Sequence, residues 1–224
     1  MKLNYQVVYS RRKSLSLAVE RDASVVVRAP EGTPEDQIRR AVQAKKFWLF
    51  QKVSHKHKYP AKQQRKEFVS GETILYLGRN YRLEVTSQKV QGVDFHSMFV
   101  ISRQNQGRAA ELFKEWYRRR AEQRFPLRAK HFADAMGVSF NRVRICNLSL
   151  RWGSCTPNNN LNFSWRLLKA PVTVIDYVIV HELAHLLEPN HTPHFWSIVA
   201  VQVPRSEWAR EWLREHGDVL EIEF

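Results

Sequence analysis

The chain has 224 residues, of which 43% are hydrophobic, with 36 Lys and Arg against 22 Asp and Glu and two cysteines. This length and apolar content exclude a disordered tail and leave one or two folded domains. Two cysteines cannot form a secreted disulfide framework, the first residues lack the apolar run of a signal peptide, and the apolar stretch 172–180 is too short to span a bilayer. We therefore expect a cytoplasmic protein without a membrane segment.

The positive charge is concentrated in the first part of the chain. Residues 1–140 carry 28 Lys and Arg and 13 Asp and Glu, whereas residues 141–224 carry 8 and 9. A basic part joined to a nearly neutral part indicates contact with a polyanion through the basic part. Solvated surface charge that keeps the protein in solution explains the same excess equally well. A nucleic-acid contact through the basic part therefore stays open.

Residues 1–105 have the pattern of a basic, β-rich domain with one long helix. Alternating apolar and polar residues predict a strand hairpin over residues 15–27. Thr33 is expected to cap a helix that starts at Pro34 and runs toward residue 57. Further strands, with glycines at the breaks between them, are predicted at residues 73–77, 81–85 and 95–101.

Residues 106–224 are predicted to form a second domain, so that the whole chain has an α+β fold. A basic amphipathic helix around Trp116 is expected to be interrupted by Pro126, to restart, and to stop at Gly137. Strand-like segments then follow at residues 143–145, 148–151 and 161–165. The boundary between the two domains is expected near residue 105.

The most informative motif is H-E-x-x-H at His181–His185. Thr173 followed by Asp176 resembles a capping box, and the apolar residues 174–180 predict a helix that runs through the motif. On such a helix the two histidines lie one turn apart and point the same way. Two imidazoles placed in this way can share one zinc ion, each at roughly 2.0–2.1 Å.

Glu182 points in a different direction from the two histidines. At about 3.6 residues per turn it lies about 100° round the helix from His181, where it reaches a metal-bound water molecule rather than the metal. This is the general-base position of metallopeptidases. Histidines that are hydrogen-bonded in a core are the alternative, but burying two histidines and a glutamate without partners is costly, so the motif favours zinc.

A catalytic zinc ion usually has three protein ligands and one open position, so a third ligand is needed. His191 lies ten residues beyond His181, which is the spacing of metzincins, although Glu188 stands where metzincins have glycine. His194 competes for the same role, in the first turn of a helix that Thr192 is expected to cap. The metzincin spacing favours His191.

Five other residues are weaker candidates for the site. Arg151 and Arg166 have the chemistry to bind a substrate carboxylate or phosphate, or else they form salt bridges. Tyr177 lies one turn before the motif and either stabilises an oxyanion or packs in the core. Cys155 either approaches the metal as a thiolate or is an inert buried thiol. Gly153 is expected to serve a tight backbone turn.

Three blocks of sequence stand out in the second half of the chain: R-W-G-S-C at Arg151–Cys155, N-x-x-W-R at Asn162–Arg166 and H-E-L-A-H at His181–His185. With the segment around Gly71, they resemble the YgjP-like metallopeptidase-domain family, which is related to the SprT and WLM zincins. The resemblance implies a zincin-like, metal-binding catalytic domain over residues 106–224. In it, the two helix histidines and a downstream histidine bind zinc, and the glutamate of the motif is the catalytic acid/base. Some members of the family carry a UTP pyrophosphatase assignment instead of a peptidase one.

The sequence therefore predicts a zinc-dependent hydrolase with one zinc ion per chain, held by His181, His185 and His191. The favoured reaction is peptide-bond cleavage by a zinc-activated water molecule, with Glu182 passing the proton to the leaving amine. The alternative is a metal-dependent nucleoside-triphosphate (UTP-type) pyrophosphatase, so the substrate is a polypeptide or a nucleotide. A nucleic-acid-binding protein with a structural metal is less favoured, because structural zinc sites are normally closed by four ligands.

Overall fold

The computed structural model of the chain describes residues 4–12, 14–19, 24–50, 53, 66–148 and 151–221. Two units can be distinguished by their internal contacts, residues 1–62 and residues 63–224. This division lies earlier than the boundary expected near residue 105. The reason is that the strands between residues 73 and 102 share one apolar core with the helices that follow them.

The first unit is a small sheet with a helix. Its elements are β1 (Tyr5–Ser10), β2 (Ser16–Val19), β3 (Val25–Pro30) and α1 (Glu35–Ala44). Strand β3 is central, parallel to β1 and antiparallel to β2. The antiparallel pairing expected for β2 and β3 is confirmed, and the turn between them lies outside the described residues. The apolar side chains of β3 form a core with Ile38 and Val42 of α1.

The start of α1 differs from the prediction. Pro34 is the last residue before the helix, and the Thr33 hydroxyl donates a hydrogen bond to the Pro30 carbonyl oxygen (2.7 Å) instead of capping the helix. Residues 46–50 are helical again after a turn. Most of the stretch that was expected to be helical toward residue 57 lies outside the described residues.

The second unit begins with a four-stranded sheet. Its strands are β4 (Thr73–Tyr76), β5 (Arg79–Thr86), β6 (Val93–Phe95) and β7 (Phe99–Ser102), in the order β4-β5-β7-β6. The first two agree with the predicted strands to within a few residues. The single strand expected over residues 95–101 is instead two strands, because the chain turns between Phe95 and Phe99 and pairs β6 with β7.

The long helix α2 (Ala109–Met136) follows this sheet and is continuous. Pro126 lies inside it, so the interruption predicted there is wrong. Proline removes one backbone donor from a helix, but Phe125 and Ala129 on either side are completely buried, and this packing holds the helix together. The helix ends at Gly137, as expected, with φ 66° in the left-handed region.

The remaining elements carry the histidine motif. They are β8 (Arg142–Cys146), β9 (Gly153–Cys155), β10 (Asn160–Ser164), α3 (Val172–Ala184), α4 (Pro193–Gln202) and α5 (Ser206–Leu220). The three strands form a sheet with β10 in the centre, so that β9 is an edge strand. One apolar core joins this sheet, the four-stranded sheet and helices α2–α5. In the part of the chain that the structure describes, no helix has the length and apolar character needed to cross a membrane.

Helix α3 is apolar and buried along most of its length. Residues 174–180 are buried, except for the half-buried Asp176. The capping box expected at Thr173 and Asp176 is absent: Pro171 precedes the helix, and the Asp176 carboxylate accepts a hydrogen bond from Arg128 Nε of α2 (2.8 Å). Asp176 therefore ties α3 to α2 instead of capping its own helix.

The start of α3 is fixed by the turn between β4 and β5. The N–H groups of Leu77 and Gly78 in this turn donate hydrogen bonds to the carbonyl oxygens of Leu168 and Lys169 (2.9 Å each). Gly78 has φ 77°, and a Cβ atom there would lie 2.8 Å from Pro171 Cγ. Glycine is therefore the residue that fits this close approach to the beginning of α3.

Gly78→Ala should destabilise the protein more than Gly92→Ala. Both glycines have φ 77°, so both substitutions place alanine in the left-handed region, at a cost of about 1–2 kcal/mol. A Cβ atom at Gly92 has no described atom within 4 Å, whereas one at Gly78 collides with Pro171. We expect this collision to lower the free energy of unfolding by a further amount of about 1–3 kcal/mol. Urea denaturation of the two variants measures the difference. Equal losses in the two variants would mean that the turn yields without moving α3.

Candidate metal centre

Helix α3 brings the first two histidines together. His181 lies in its last turn and His185 directly follows its last residue, with 5.1 Å between their ring centroids. Both side chains are half-buried. The spacing of four residues places them on one face of the helix, and the buried body of α3 fixes the direction of that face.

His191 joins them from the loop between α3 and α4. Its Nε2 atom lies 3.1 Å from His181 Nε2, and its ring centroid lies 4.9 Å from that of His185. The chain is fixed directly afterwards, because the Thr192 side chain accepts a hydrogen bond from the Phe195 N–H (3.2 Å) and caps α4, as the sequence predicts. One nitrogen from each of the three histidines lies within 4.8 Å of the other two.

The competing residue His194 is not part of this group. It is exposed in the first turn of α4. Among the residues that the structure describes, no fourth His, Cys, Asp or Glu completes a group with the three histidines. In the described part of the chain, the group therefore consists of three histidine nitrogens.

Two of the three imidazoles favour the neutral form. Burial, together with the neighbouring His185 and His191, lowers the pKa of His181 to about 4. Burial also lowers the pKa of His185. Nδ1 of His185 lies 3.3 Å from the Glu188 carbonyl oxygen, and a proton on this nitrogen makes the contact a hydrogen bond and leaves Nε2 with a free lone pair. Neutral imidazoles with free lone pairs are suitable ligands for a divalent transition metal ion.

Two aromatic residues of α4 pack against the histidines. Phe195 is completely buried, and its ring centroid lies 4.8–4.9 Å from the centroids of all three imidazoles. Trp196 stacks on His191, with 5.6 Å between the centroids and 23° between the planes. These contacts restrict the rotation of the rings. The contact of Phe195 with all three rings was not expected from the sequence, because it depends on how α4 packs against α3.

Glu182 follows His181 on α3 and is buried, with 7% of its surface exposed. Burial raises the pKa of its carboxyl group to about 7, even though a hydrogen bond from the Cys155 backbone N–H and the positive charge of Arg151 both act in the opposite direction. Its position is set by strand β9, which supplies that N–H group.

Gly153 is the residue of β9 that allows this close approach. A Cβ atom at this position would lie 2.7 Å from Glu182 Oε1 and 2.8 Å from Glu182 Cγ. Gly153 pairs with Phe163 of β10 inside the sheet and does not form the tight turn that the sequence predicts. Glycine is therefore required at residue 153 because it has no side chain to collide with Glu182, and not because the backbone needs an unusual conformation there.

The sequence model of the YgjP-like metallopeptidase domain family matches residues 13–216. The chain belongs to this family. The match covers residues of both units and includes the histidine cluster and Glu182. As a member of the YgjP-like family the chain carries a metal-dependent peptidase domain, and the family resemblance seen in the sequence is confirmed.

Among solved structures, the chain is similar to the crystal structure of the metallopeptidase zymogen of Pyrococcus abyssi abylysin. The two are 23% identical, the match covers 45% of this chain and 99% of that one, and the TM-score is 0.38. None of the curated proteins matches the sequence.

The other residues that the sequence singles out lie in different settings. Arg151 is exposed just before β9. Tyr177 is 6% exposed, with 5.9 Å between its ring centroid and that of His181. Arg166 is 4% exposed, and its guanidinium lies over the Trp165 ring, 4.6 Å from the centroid. Burial therefore keeps Arg166 from a ligand that arrives from solvent, whereas Arg151 is accessible.

Cys155 contributes its backbone to the site. Its half-buried thiol lies 3.7 Å from the Thr156 carbonyl oxygen. Burial raises the pKa of the thiol, and the negative charge of Glu182 raises it further. The thiol therefore stays protonated, in agreement with the alternative of an inert buried thiol.

Helix α5 brings one further charged residue to the site. The guanidinium carbon of Arg210 lies 5.2 Å from the centroid of the Trp196 ring, and its charge acts on Tyr177. Sequence reasoning missed Arg210, because it belongs to no motif and is one of several arginines in an amphipathic helix.

Gly153→Ala should destabilise the protein through its contact with Glu182, because overpacking costs about 1–3 kcal/mol. Glu182→Ala removes the atoms with which the new Cβ would collide. In that background, Gly153→Ala should therefore cost less than about 0.5 kcal/mol. Urea denaturation of the wild type, the two single variants and the double variant measures this coupling.

The matched control for this cycle is Gly107→Ala. A Cβ atom at Gly107 meets no described atom within 4 Å, so its effect on stability should be the same with and without Glu182. An equal cost of Gly153→Ala in both backgrounds would contradict the inferred contact.

Proposed function

We propose that this chain is a zinc-dependent peptidase with a zincin-like catalytic domain. One zinc ion per chain would be held by His181, His185 and His191, and Glu182 would act as the catalytic acid and base. The observation that carries the proposal is the convergence of three imidazole nitrogens within 4.8 Å, next to a buried carboxylate that β9 holds in place. All these residues lie within 106–224, the range that the sequence assigns to the catalytic domain.

The donor set fits zinc. Two nitrogens bound tetrahedrally at 2.0–2.1 Å lie about 3.3 Å apart, close to the 3.1 Å between the Nε2 atoms of His181 and His191. At this distance the two nitrogens share either a proton, as a hydrogen bond, or a cation. Three protein nitrogens with an open position are typical of catalytic zinc sites.

The residues around the ion would have separate roles. When bound, zinc supplies Lewis acidity, which polarises a carbonyl group and makes water a stronger acid. Glu182 accepts a proton at its carboxylate and returns it to the leaving amine. The Cys155 N–H and the space at Gly153 orient that carboxylate. Phe195 excludes water from the buried side of the imidazoles, and the Tyr177 hydroxyl is our candidate for stabilising the oxyanion.

A nucleoside-triphosphate pyrophosphatase is the second candidate function, because the charges around the site favour an anionic substrate. The positive charges of Arg151 and Arg210 act on Glu182 and Tyr177. Within the described ranges, neither arginine has a carboxylate at ion-pair distance. A polyphosphate such as that of UTP needs cations of this kind. Membership of a metallopeptidase family makes a polypeptide the first candidate substrate.

Protein reconstituted with zinc should hold one ion per chain, as measured by native mass spectrometry. His191→Ala should weaken zinc binding by at least ~10²-fold, since the loss of even an outer partner of a ligand costs about 10–100-fold. His194→Ala is the matched control, a neighbouring histidine outside the group, and should keep full occupancy. Full occupancy in His191→Ala together with loss in His194→Ala would reverse the choice of third ligand.

Glu182→Gln should separate catalysis from metal binding. Glutamine keeps the size of the side chain and can still accept the hydrogen bond from Cys155, but it cannot take up the proton. We expect zinc content and melting temperature to change little, and the cleavage of reduced, carboxymethylated serum albumin to fall by about 10²–10⁴-fold. Glu215→Gln, at an exposed glutamate of α5, should keep the wild-type rate.

UTP serves as the second substrate in the same experiment. Full activity of Glu182→Gln toward every substrate that the wild type hydrolyses would exclude Glu182 as the acid and base, and loss of zinc would make its role structural. Zinc-dependent hydrolysis of UTP without any cleavage of polypeptide would replace the peptidase by the second candidate function.

A further inference from the structure

Arg210 extends a stack of side chains that begins at the histidine cluster. Trp196 stacks on His191, with 5.6 Å between the ring centroids, and the guanidinium carbon of Arg210 lies 5.2 Å from the centroid of the same Trp196 ring. The stack places a permanent positive charge near His191, a proposed zinc ligand, with only the Trp196 side chain between them. Arg210 is exposed, so a ligand in solution can reach it.

Arg210 has no carboxylate at ion-pair distance among the described residues. Several exposed arginines of the described helices pair with acidic residues one turn away, in Arg39–Glu35, Arg40–Asp36, Arg119–Glu115 and Arg214–Glu211, whereas Arg118 and Arg124 of α2 do not. Glu207 and Glu211 are close to Arg210 in the sequence, yet neither lies at ion-pair distance from it, and no other described carboxylate does. The hydrogen-bond donors of its guanidinium are therefore available to an incoming anion.

The charge of Arg210 also reaches Tyr177, which lies one turn before His181 on α3. Burial raises the pKa of Tyr177, the charge of Arg210 opposes this shift, and the charge of Glu182 adds to it. Tyr177 is therefore within electrostatic range of both residues. Arg151, which precedes β9, adds a second positive charge that acts on Glu182. Positive charge without an acidic partner thus lies on two segments around the proposed active site and attracts negative groups to it.

We propose that Arg210 binds a carboxylate of the polypeptide substrate, so that the enzyme prefers acidic substrates. A guanidinium matches a carboxylate through two parallel N–H···O bonds, and Trp196 packs against its face while its N–H edges stay available. The carboxylate is that of an Asp or Glu side chain or that of a free C-terminus. The inference rests on the peptidase function proposed above.

Four pools of decapeptides test this preference with the zinc-loaded, full-length protein. Two pools contain Asp and Glu, and two contain Asn and Gln in their place; within each pair, one pool has a free C-terminal carboxylate and the other an amide. Either the acidic side chains or the free C-terminal carboxylate should raise kcat/KM by about 10- to 100-fold over the matching amide pool. This is the range of a charge-assisted hydrogen bond. The difference that matters identifies the source of the carboxylate.

Substitution of Arg210 should remove the preference. In Arg210→Gln the ratio of kcat/KM between acidic and neutral peptides should fall close to one, mainly through KM, because the contact is made before and during the reaction alike. Arg214→Gln is the matched control, since Arg214 lies one turn away on α5 and is paired with Glu211, and it should keep the preference. An unchanged preference in Arg210→Gln, or equal cleavage of acidic and neutral pools by the wild type, overturns the proposal.

Binding to the inactive variant distinguishes this proposal from the peptidase function. Intrinsic tryptophan fluorescence measures the binding of the same pools to Glu182→Gln with and without Arg210→Gln. If the wild type cleaves no peptide, but acidic pools bind about 10-fold more tightly and only when Arg210 is present, the carboxylate site stands and the peptidase proposal fails. If peptides are cleaved but binding does not depend on Arg210, the carboxylate site fails and the peptidase stands. If UTP hydrolysis requires Arg210 and peptide binding does not depend on acidic groups, Arg210 binds a phosphate group, and the proposed carboxylate site is wrong.

Discussion

The contact between strand β9 and Glu182 is the constraint on which the proposed chemistry depends. The Glu182 residue is 7% exposed, so its carboxylate has lost most of its contact with water. The Cys155 N–H donates a hydrogen bond to it, and the backbone of Gly153 packs against it. The same burial raises the pKa of Glu182 to about 7 and lowers that of His181 to about 4. These opposite shifts share their largest cause, since a low dielectric favours the neutral form of an acid and of a base alike. Adjacent residues on α3 thus acquire the protonation states that the proposed function requires of a proton carrier and of a metal ligand.

The precision of the histidine cluster comes from supports that differ from one ring to the next. His181 depends on the packing of α3, His185 has a backbone carbonyl oxygen beside its Nδ1, and His191 is stacked on Trp196. Phe195 touches all three rings and couples them to the core. The described residues of the first unit have a core of their own and supply no member of the cluster. The site is therefore a property of the second unit.

Signals that act within a few residues could be predicted from the sequence, whereas those that depend on tertiary contacts could not. The left-handed stop at Gly137 and the Thr192 cap are local, and both occur as predicted. Pro126 does not break its helix, because packing on both sides of it outweighs the lost hydrogen bond. Asp176 does not cap its helix, because its carboxylate binds Arg128, which lies 48 residues earlier in the chain. The turn predicted at Gly153 is wrong for the same reason, since the role of this glycine depends on its tertiary contact with Glu182. The histidine motif itself could be recognised because four-residue spacing is a property of one helix, but its role as a metal site stays a prediction.

The histidine cluster and the setting of Glu182 differ in how far apart their parts lie along the chain. His181, His185 and His191 fall within eleven residues, whereas Gly153 lies 29 residues before Glu182. Contacts between nearby segments form at a smaller cost in chain entropy than contacts between distant ones. A folding chain can therefore bring its three imidazoles together before β9 packs against the Glu182 carboxylate. In the proposed peptidase, Glu182 would then take its catalytic position only after β9 has packed against α3.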